Sequence, residues 1–139
     1  MQKFSRGIVF GVFDGLHPGH QYFLAEAAKQ CDEFTVVVTL DDVVLHFKNR
    51  LPKFSLAERI NALTSFTASL NKKITVVPGD GVSEMGNWPV LKKYQPDVVF
   101  VGYDQELIAG EMVKLNIPTI LIPAYYPEKY KSSLIQKLD

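Results

Sequence analysis

The stretch GVFDGLHPGH, Gly11–His20, joins an apolar run to a helical pattern and decides the fold. The run that leads into it, residues 7–13 (GIVFGVF), is continuous and rich in β-forming residues, which is typical of a strand buried on both faces. After the stretch, apolar side chains recur at helical spacing, so residues 18–31 are predicted to form a helix that begins at Pro18. A strand followed at once by a helix is the first half of a β-α-β unit.

The same alternation continues along the 139 residues. Further strands are predicted at 34–40, 74–78, 97–101 and 119–122, and further helices at 43–48, 55–70, 106–116, from Pro89 and near Ser132. Alternating strands and helices predict a parallel sheet that right-handed crossovers cover on both faces. The expected fold class is therefore α/β, with a single Rossmann-like domain over residues 1–139. Its doubly wound five-stranded sheet is expected to have the order 3-2-1-4-5.

Composition limits the classes of function. Lysine and arginine number 15 and aspartate and glutamate number 15, so the balanced charge favours neither a nucleic acid nor a membrane surface as partner. No apolar run approaches the ~18 residues of a membrane span and no signal-peptide pattern is present, so a cytoplasmic location is expected. The single cysteine, Cys31, excludes an internal disulfide and is expected to be buried. A redox protein has little support, because no Cys-x-x-Cys is present.

A ligand site is predicted at the carboxyl ends of the first and fourth strands. Ligands of open parallel sheets bind where the strand order reverses, which in this order lies between those two strands. The segments that follow them are Gly11–His20 and VGYDQ, residues 101–105. The helix that begins at Pro18 directs its partial positive charge toward this place, which suits an anion such as phosphate.

Glycines and histidines of the first turn fit a phosphate site. Gly11 and Gly19 permit close approach of backbone and ligand. His17 and His20 flank the helix start, where their N–H groups would stabilise charge that develops on phosphorus. The alternative for each histidine is a helix cap or a surface position. Metal ligation is disfavoured, because no third ligand has suitable spacing and the pair lacks i, i+4 spacing.

The stretch resembles the signature of the cytidylyltransferase-like nucleotidyltransferases, a Phe-Asp followed by His-x-Gly-His. Three further segments are similar and follow in the family's order: KNRLPKFSLAER (Lys48–Arg59), the VGYDQ turn and YKSSLI (Tyr130–Ile135). The resemblance implies transfer of AMP or CMP from a nucleoside triphosphate to a small phosphorylated acceptor, with release of pyrophosphate. It also implies Mg²⁺ bound through the triphosphate, and it permits a homodimer.

The resemblance implies a role for each matching residue. Catalysis would fall to His17, His20 and Lys48, and no residue is expected to ligate a metal directly. The nucleotide would contact Gly11, Val12, Phe13, Asp14, His17, Gly19, His20, Gly102, Asp104, Lys131, Ser132 and Ser133. The acceptor would contact Asp41, Asp42, Lys48, Lys53 and Arg59. By themselves the lysines also fit a solvated loop, and the two adjacent aspartates or the two serines also fit helix caps.

The motifs indicate the type of reaction more clearly than they indicate the acceptor. The turn GYDQ and the loop KNRLP resemble those of the archaeal-type FAD synthases, which adenylate FMN, although that branch carries cysteines near its C-terminus and this chain does not. The segment LAER is similar to an adenylyltransferase for heptose phosphates in lipopolysaccharide synthesis. Cytidylyl transfer to glycerol 3-phosphate or another polyol or sugar phosphate is a further alternative. A nucleotide-binding module without catalysis is the alternative from another class. The prediction favours adenylyl transfer to FMN.

Overall fold

The structure is a computed structural model that describes residues 4–124. Its strands are β1 (Phe4–Gly11), β2 (Cys31–Val38), β3 (Lys73–Pro78), β4 (Val98–Val101) and β5 (Thr119–Leu121). Its helices are α1 (Pro18–Ala28), α2 (Asp41–Lys48), α3 (Leu56–Ala68), α4 (Pro89–Tyr94) and α5 (Glu106–Lys114), with a short 3₁₀ turn at Val82–Glu84. The strands form one parallel sheet in the order β3-β2-β1-β4-β5. The predicted fold class and strand order are confirmed.

Two predicted strand starts are wrong, because polar residues at the amino ends of the strands masked the pattern. β1 begins at Phe4 and β2 at Cys31, and these two residues pair with each other in the sheet. The helix predicted to reach Cys31 ends at Ala28, so the cysteine opens β2 instead. It is buried as expected, and burial raises the pKa of its thiol to about 11.

The other predicted boundaries lie closer to the observed ones. β1 ends at Gly11 and not at Phe13, whose left-handed backbone (φ 51°) cannot continue a strand. The remaining helix and strand ends differ from the predicted ones by about one or two residues, as helix and strand ends usually do. The helix predicted near Ser132 lies outside the described residues.

Helices cover both faces of the sheet. Alternate residues of β1 point to opposite faces, so Val9 packs with α1 and α3, whereas Ile8 packs with α4 and α5. α3 begins at a capping box, in which Ser55 and Glu58 each bind the other's backbone N–H. In the part of the chain that the structure describes, no helix has the length and apolarity needed to cross a bilayer.

The two central strands separate at their carboxyl ends. β1 pairs with β4 at Gly7↔Val98 and Ile8↔Val99, whereas its pairing with β2 continues to Gly11↔Val38. A gap therefore opens between the ends of β1 and β4, at the reversal of strand order where the ligand site is predicted.

We expect Gly7→Ala to destabilise the fold by about 1–3 kcal/mol, because an added methyl overpacks this core. A Cβ at Gly7 would lie 2.7 Å from Cε2 of Phe100 and 2.8 Å from Sγ of Cys31. Urea unfolding at constant m-value measures the change. The control is Gly110→Ala in α5, where a Cβ meets nothing within 4 Å and alanine should stabilise the helix by about 0.5–1 kcal/mol. Equal midpoints for the two variants would contradict this account.

Candidate active site

A cleft of about 1170 Å³ lies at the carboxyl ends of β1 and β4. Its walls come from the β1 turn (residues 12–17), the start of α1, α2, the loop 79–88 after β3, the β4 turn (Gly102–Gln105) and the start of α5. Strand order therefore brings the two predicted turns together. The following predicted nucleotide-binding residues line this cleft: Gly11, Val12, Phe13, Asp14, His17, Gly19, His20, Gly102 and Asp104.

The two histidines stack on each other at the start of α1. Their ring centroids are 3.7 Å apart and their planes differ by 20°. His17 is the N-cap, and its Nδ1 accepts hydrogen bonds from the backbone N–H of Gly19 (3.1 Å) and of His20 (3.3 Å). A neutral His17 therefore carries its proton on Nε2, which is left available as a donor. The helix cap, which was the alternative to a ligand role for this residue, is thus present, and it leaves Nε2 of His17 unused by the cap.

His20 is held in the opposite tautomer. Its Nδ1 lies 3.2 Å from the carbonyl oxygen of Gly15, so this nitrogen carries the proton and donates it to that oxygen. Burial, aided by the neighbouring His17, lowers the pKa of His20 to about 4, although the bond to Gly15 and the charge of Asp104 oppose the shift. The free protein therefore presents a neutral His20 near pH 7, and its Nε2 bears a lone pair.

The backbone of the β1 turn is strained. Phe13 is buried and has φ 51°, a conformation that a bulky residue rarely adopts. Its ring lies edge-on to His20, with centroids 5.5 Å apart, and so supports that imidazole. The same ring closes over Gly11, where a Cβ would lie 2.6 Å from Cε2 of Phe13. Only glycine fits at this position.

Asp14 binds the basic loop, residues 48–54, to the β1 turn. Its two carboxylate oxygens accept the backbone N–H groups of Lys53 (2.7 Å) and Phe54 (2.8 Å). Desolvation raises the pKa of Asp14, but the two hydrogen bonds and the nearby Arg59 and Arg50 outweigh it and leave the pKa below its usual value. The charged carboxylate of Asp14 thus holds the β1 turn against residues 53 and 54.

Arg59 lies behind the cleft and not in its lining. Its side chain is 0% exposed. The guanidinium Nη1 donates to the carbonyl oxygens of Val12 (3.0 Å) and Thr39 (2.7 Å), and Nε donates to that of Phe54 (3.1 Å). Nη2 pairs with Asp41. Arg59 and Asp41, which the resemblance assigned to the acceptor, therefore bind each other.

The other residues predicted for the acceptor divide into two groups. Lys48 lines the cleft, but Lys53 is exposed and does not line it. Asp42 accepts the backbone N–H of Val82 at 3.3 Å and thereby fixes the 3₁₀ turn beside the cleft. Arg50 also lines the cleft, although no role was predicted for it. Its place two residues after Lys48 in the same basic loop was the available signal.

Lys131, Ser132 and Ser133 lie outside the described residues. Within residues 4–124, no group of three or more His, Cys, Asp and Glu side chains is arranged to hold a metal ion.

Comparisons with known proteins agree with this geometry. The sequence model of the family described as cytidylyltransferase-like matches residues 8–137. A FAD synthase of Methanosarcina acetivorans is 33% identical over 123 residues, which cover 85% of this chain and 75% of that protein. A FAD synthase of Thermococcus sibiricus is 34% identical over an alignment of 145 positions, which covers 99% of this chain and 94% of that protein.

A solved structure shows the same fold. The lipopolysaccharide core biosynthesis protein of Thermoplasma volcanium superposes with a TM-score of 0.66 at 24% identity, over 90% of this chain and 99% of that one. With the family match and the FAD synthase relatives, the class is settled: the chain belongs to the cytidylyltransferase-like family. It is an enzyme, a nucleotidyltransferase.

Acid is expected to destabilise the ligand-free protein through His20. The folded-state pKa of about 4 lies below the ordinary 6.5, so the unfolded chain binds more protons between these values. The contribution of His20 to stability is therefore present above pH 6.5 and is lost as the pH falls toward about 4. Urea unfolding across this range measures it, with His20→Gln as the variant and exposed His46→Gln as the control. A pH dependence unchanged by His20→Gln would contradict the assignment.

Proposed function

We propose that this nucleotidyltransferase transfers the adenylyl group of ATP to the phosphate of FMN, forming FAD and releasing pyrophosphate. One observation carries the proposal. A single cleft contains the stacked histidine pair, the β4 turn and the two cations of the basic loop, Lys48 and Arg50. Two relatives that are 33% and 34% identical over most of the chain are FAD synthases.

The nucleotide is proposed to lie with its triphosphate at the start of α1. His17 would donate its Nε2–H to a phosphate oxygen. The negative charge of a bound triphosphate favours the protonated form of His20, whose Nε2 would then also donate. The helix N-terminus adds its partial positive charge at the same place.

The reaction is proposed as a direct displacement. An oxygen of the FMN phosphate attacks the α-phosphorus of ATP, and the bond from that phosphorus to the bridging oxygen breaks. The electron pair of the broken bond leaves with pyrophosphate. The histidine donors and the cations lower the barrier by stabilising charge on the phosphoryl oxygens, and the cleft supplies alignment. No covalent intermediate with the protein is required.

The acceptor is proposed to occupy the side of the cleft near β2 and β3. Lys48 and Arg50 line this side and would attract the FMN phosphate. Phe47, Met85 and Trp88 also line the cleft, and such side chains suit the flat apolar face of a flavin.

Mg²⁺ is proposed to arrive with the triphosphate and to neutralise part of its charge. Asp14 is poorly suited to ligate the ion, because both of its carboxylate oxygens accept backbone N–H groups. Triphosphate oxygens are therefore the proposed ligands. A cytoplasmic location and a homodimer stay predictions.

Thermal unfolding with ligands tests the nucleotide and the acceptor separately. We expect Mg²⁺ with ATP to raise the Tm, because a ligand that binds the native state stabilises it. FMN with a non-reacting ATP analogue should raise it further, and ATP with FMN should yield FAD and pyrophosphate. A rise with CTP in place of ATP would favour a cytidylyltransferase. A rise with ATP and no effect of FMN would exclude the flavin and direct the search to sugar phosphates.

Lys48→Ala should harm turnover more than Lys53→Ala does. Lys48 lines the cleft, whereas the side chain of Lys53 is exposed outside the lining and its backbone N–H alone binds Asp14. We expect a loss of about a hundredfold in kcat/KM for Lys48→Ala, as for removal of a charge-stabilising donor, and a small change for Lys53→Ala. Steady-state pyrophosphate release measures both. The reverse ranking would show that the basic loop approaches the ligand differently.

A further inference from the structure

The side chain of Gln105 bridges the gap between β1 and β4. Its Nε2 donates to the carbonyl oxygen of Phe10 at 2.7 Å, across 95 residues of sequence. Its Oε1 accepts the backbone N–H of Gly102 at 2.9 Å. One amide thus joins the end of β1 to the first residue of the β4 turn.

These two bonds replace sheet bonds at the point where the strands separate. Paired residues of β1 and β4 end at Ile8↔Val99. The carbonyl of Gly11 binds the N–H of Thr39 on the β2 side, so the carbonyl of Phe10 faces the β4 side. Without Gln105, this carbonyl and the N–H of Gly102 would have no partner in the sheet at a place where the backbone is partly buried, which is costly.

The bridge lies at the floor of the nucleotide cleft. Gly11, which follows Phe10, and Gly102 both line the cleft, as does Gln105 itself. The β1 turn leads to the stacked histidines, and the β4 turn carries Asp104. The distance between these two sets of ligand groups therefore depends on the length and the hydrogen bonds of one side chain.

We propose that Gln105 is a positioning residue that sets the width of the nucleotide cleft. Its carboxamide is suited to this task, because one atom must donate to Phe10 and the other must accept from Gly102. Glutamate has the same length but cannot donate when ionised, and methionine has a similar length but replaces the amide with a thioether and a methyl. The proposal rests on the proposed use of ATP as the nucleotide, and it does not depend on which acceptor the enzyme uses.

The test measures the Kd of Mg²⁺-ATP by calorimetry, without acceptor, for Gln105→Glu, Gln105→Met and the wild type. Near pH 8 we expect both variants to bind ATP about tenfold more weakly, because each loses the bond to Phe10. The two variants should then differ as the pH falls. A protonated carboxyl donates to the Phe10 carbonyl again, so the loss in Gln105→Glu should shrink to about threefold or less near pH 5.5. Gln105→Met should keep its full loss.

Each affinity is taken as a ratio to the wild type at the same pH. The titratable groups that face this position, Asp104, Glu106 and His20, are the same in all of these proteins, so the ratio removes the effect that they have in common. Gln30→Glu is the matched control. The amide of Gln30 also donates to a backbone carbonyl, that of Glu26, but this bond is local to the end of α1 and joins no distant segments. It should bind ATP as the wild type does.

A role of Gln105 in the stability of the fold alone would give a different result. If Gln105 merely stabilised the fold, its variants would show a lower Tm and fewer active molecules, with an unchanged Kd and an unchanged KM for ATP. Wild-type affinity in both variants, or a loss in Gln105→Glu that does not shrink on acidification, would overturn the proposal. If FMN fails as acceptor while these ATP affinities change as expected, the proposed function fails and this proposal stands.

Discussion

The buried guanidinium of Arg59 is the interaction on which one side of the cleft depends. It binds the carbonyl oxygens of Val12, Thr39 and Phe54 and the carboxylate of Asp41. A buried charge is costly unless acceptors surround it, and here they do. Those acceptors belong to the turn after β1, the end of β2, the basic loop and α2. The position of each of these segments is therefore tied to the others through one side chain.

Carboxylates at this edge of the sheet act mainly on the backbone of loops. Asp14 binds the basic loop, Asp42 binds the N–H of Val82, and Asp80 accepts the N–H of Val90 at 3.2 Å. Each of these hydrogen bonds restricts the backbone of an irregular segment beside the cleft. Lys48 and Arg50 line the cleft, as do the imidazoles at the start of α1.

The two halves of the cleft are held by different chemistry. On the β2 side, a charged network centred on Arg59 fixes the walls. A substitute for Arg59 would need both its positive charge and the planar arrangement of its donors, which lysine lacks. On the β4 side, the neutral amide of Gln105 spans the gap where sheet pairing ends. Strand separation makes room for a ligand and also leaves backbone groups that need such a partner.

The sequence by itself determined the order of strands and helices, the α/β class and the place of the histidines at a helix start, because periodicity and capping are local properties. It did not reveal that β1 and β2 extend through the exposed polar residues near their amino ends, since such exposed positions carry no periodic signal. Only the tertiary structure decided that Arg59 turns away from the cleft and that Gln105 reaches Phe10 across 95 residues. Such contacts join segments that are distant in the chain, and the packing of the whole sheet determines which of them meet.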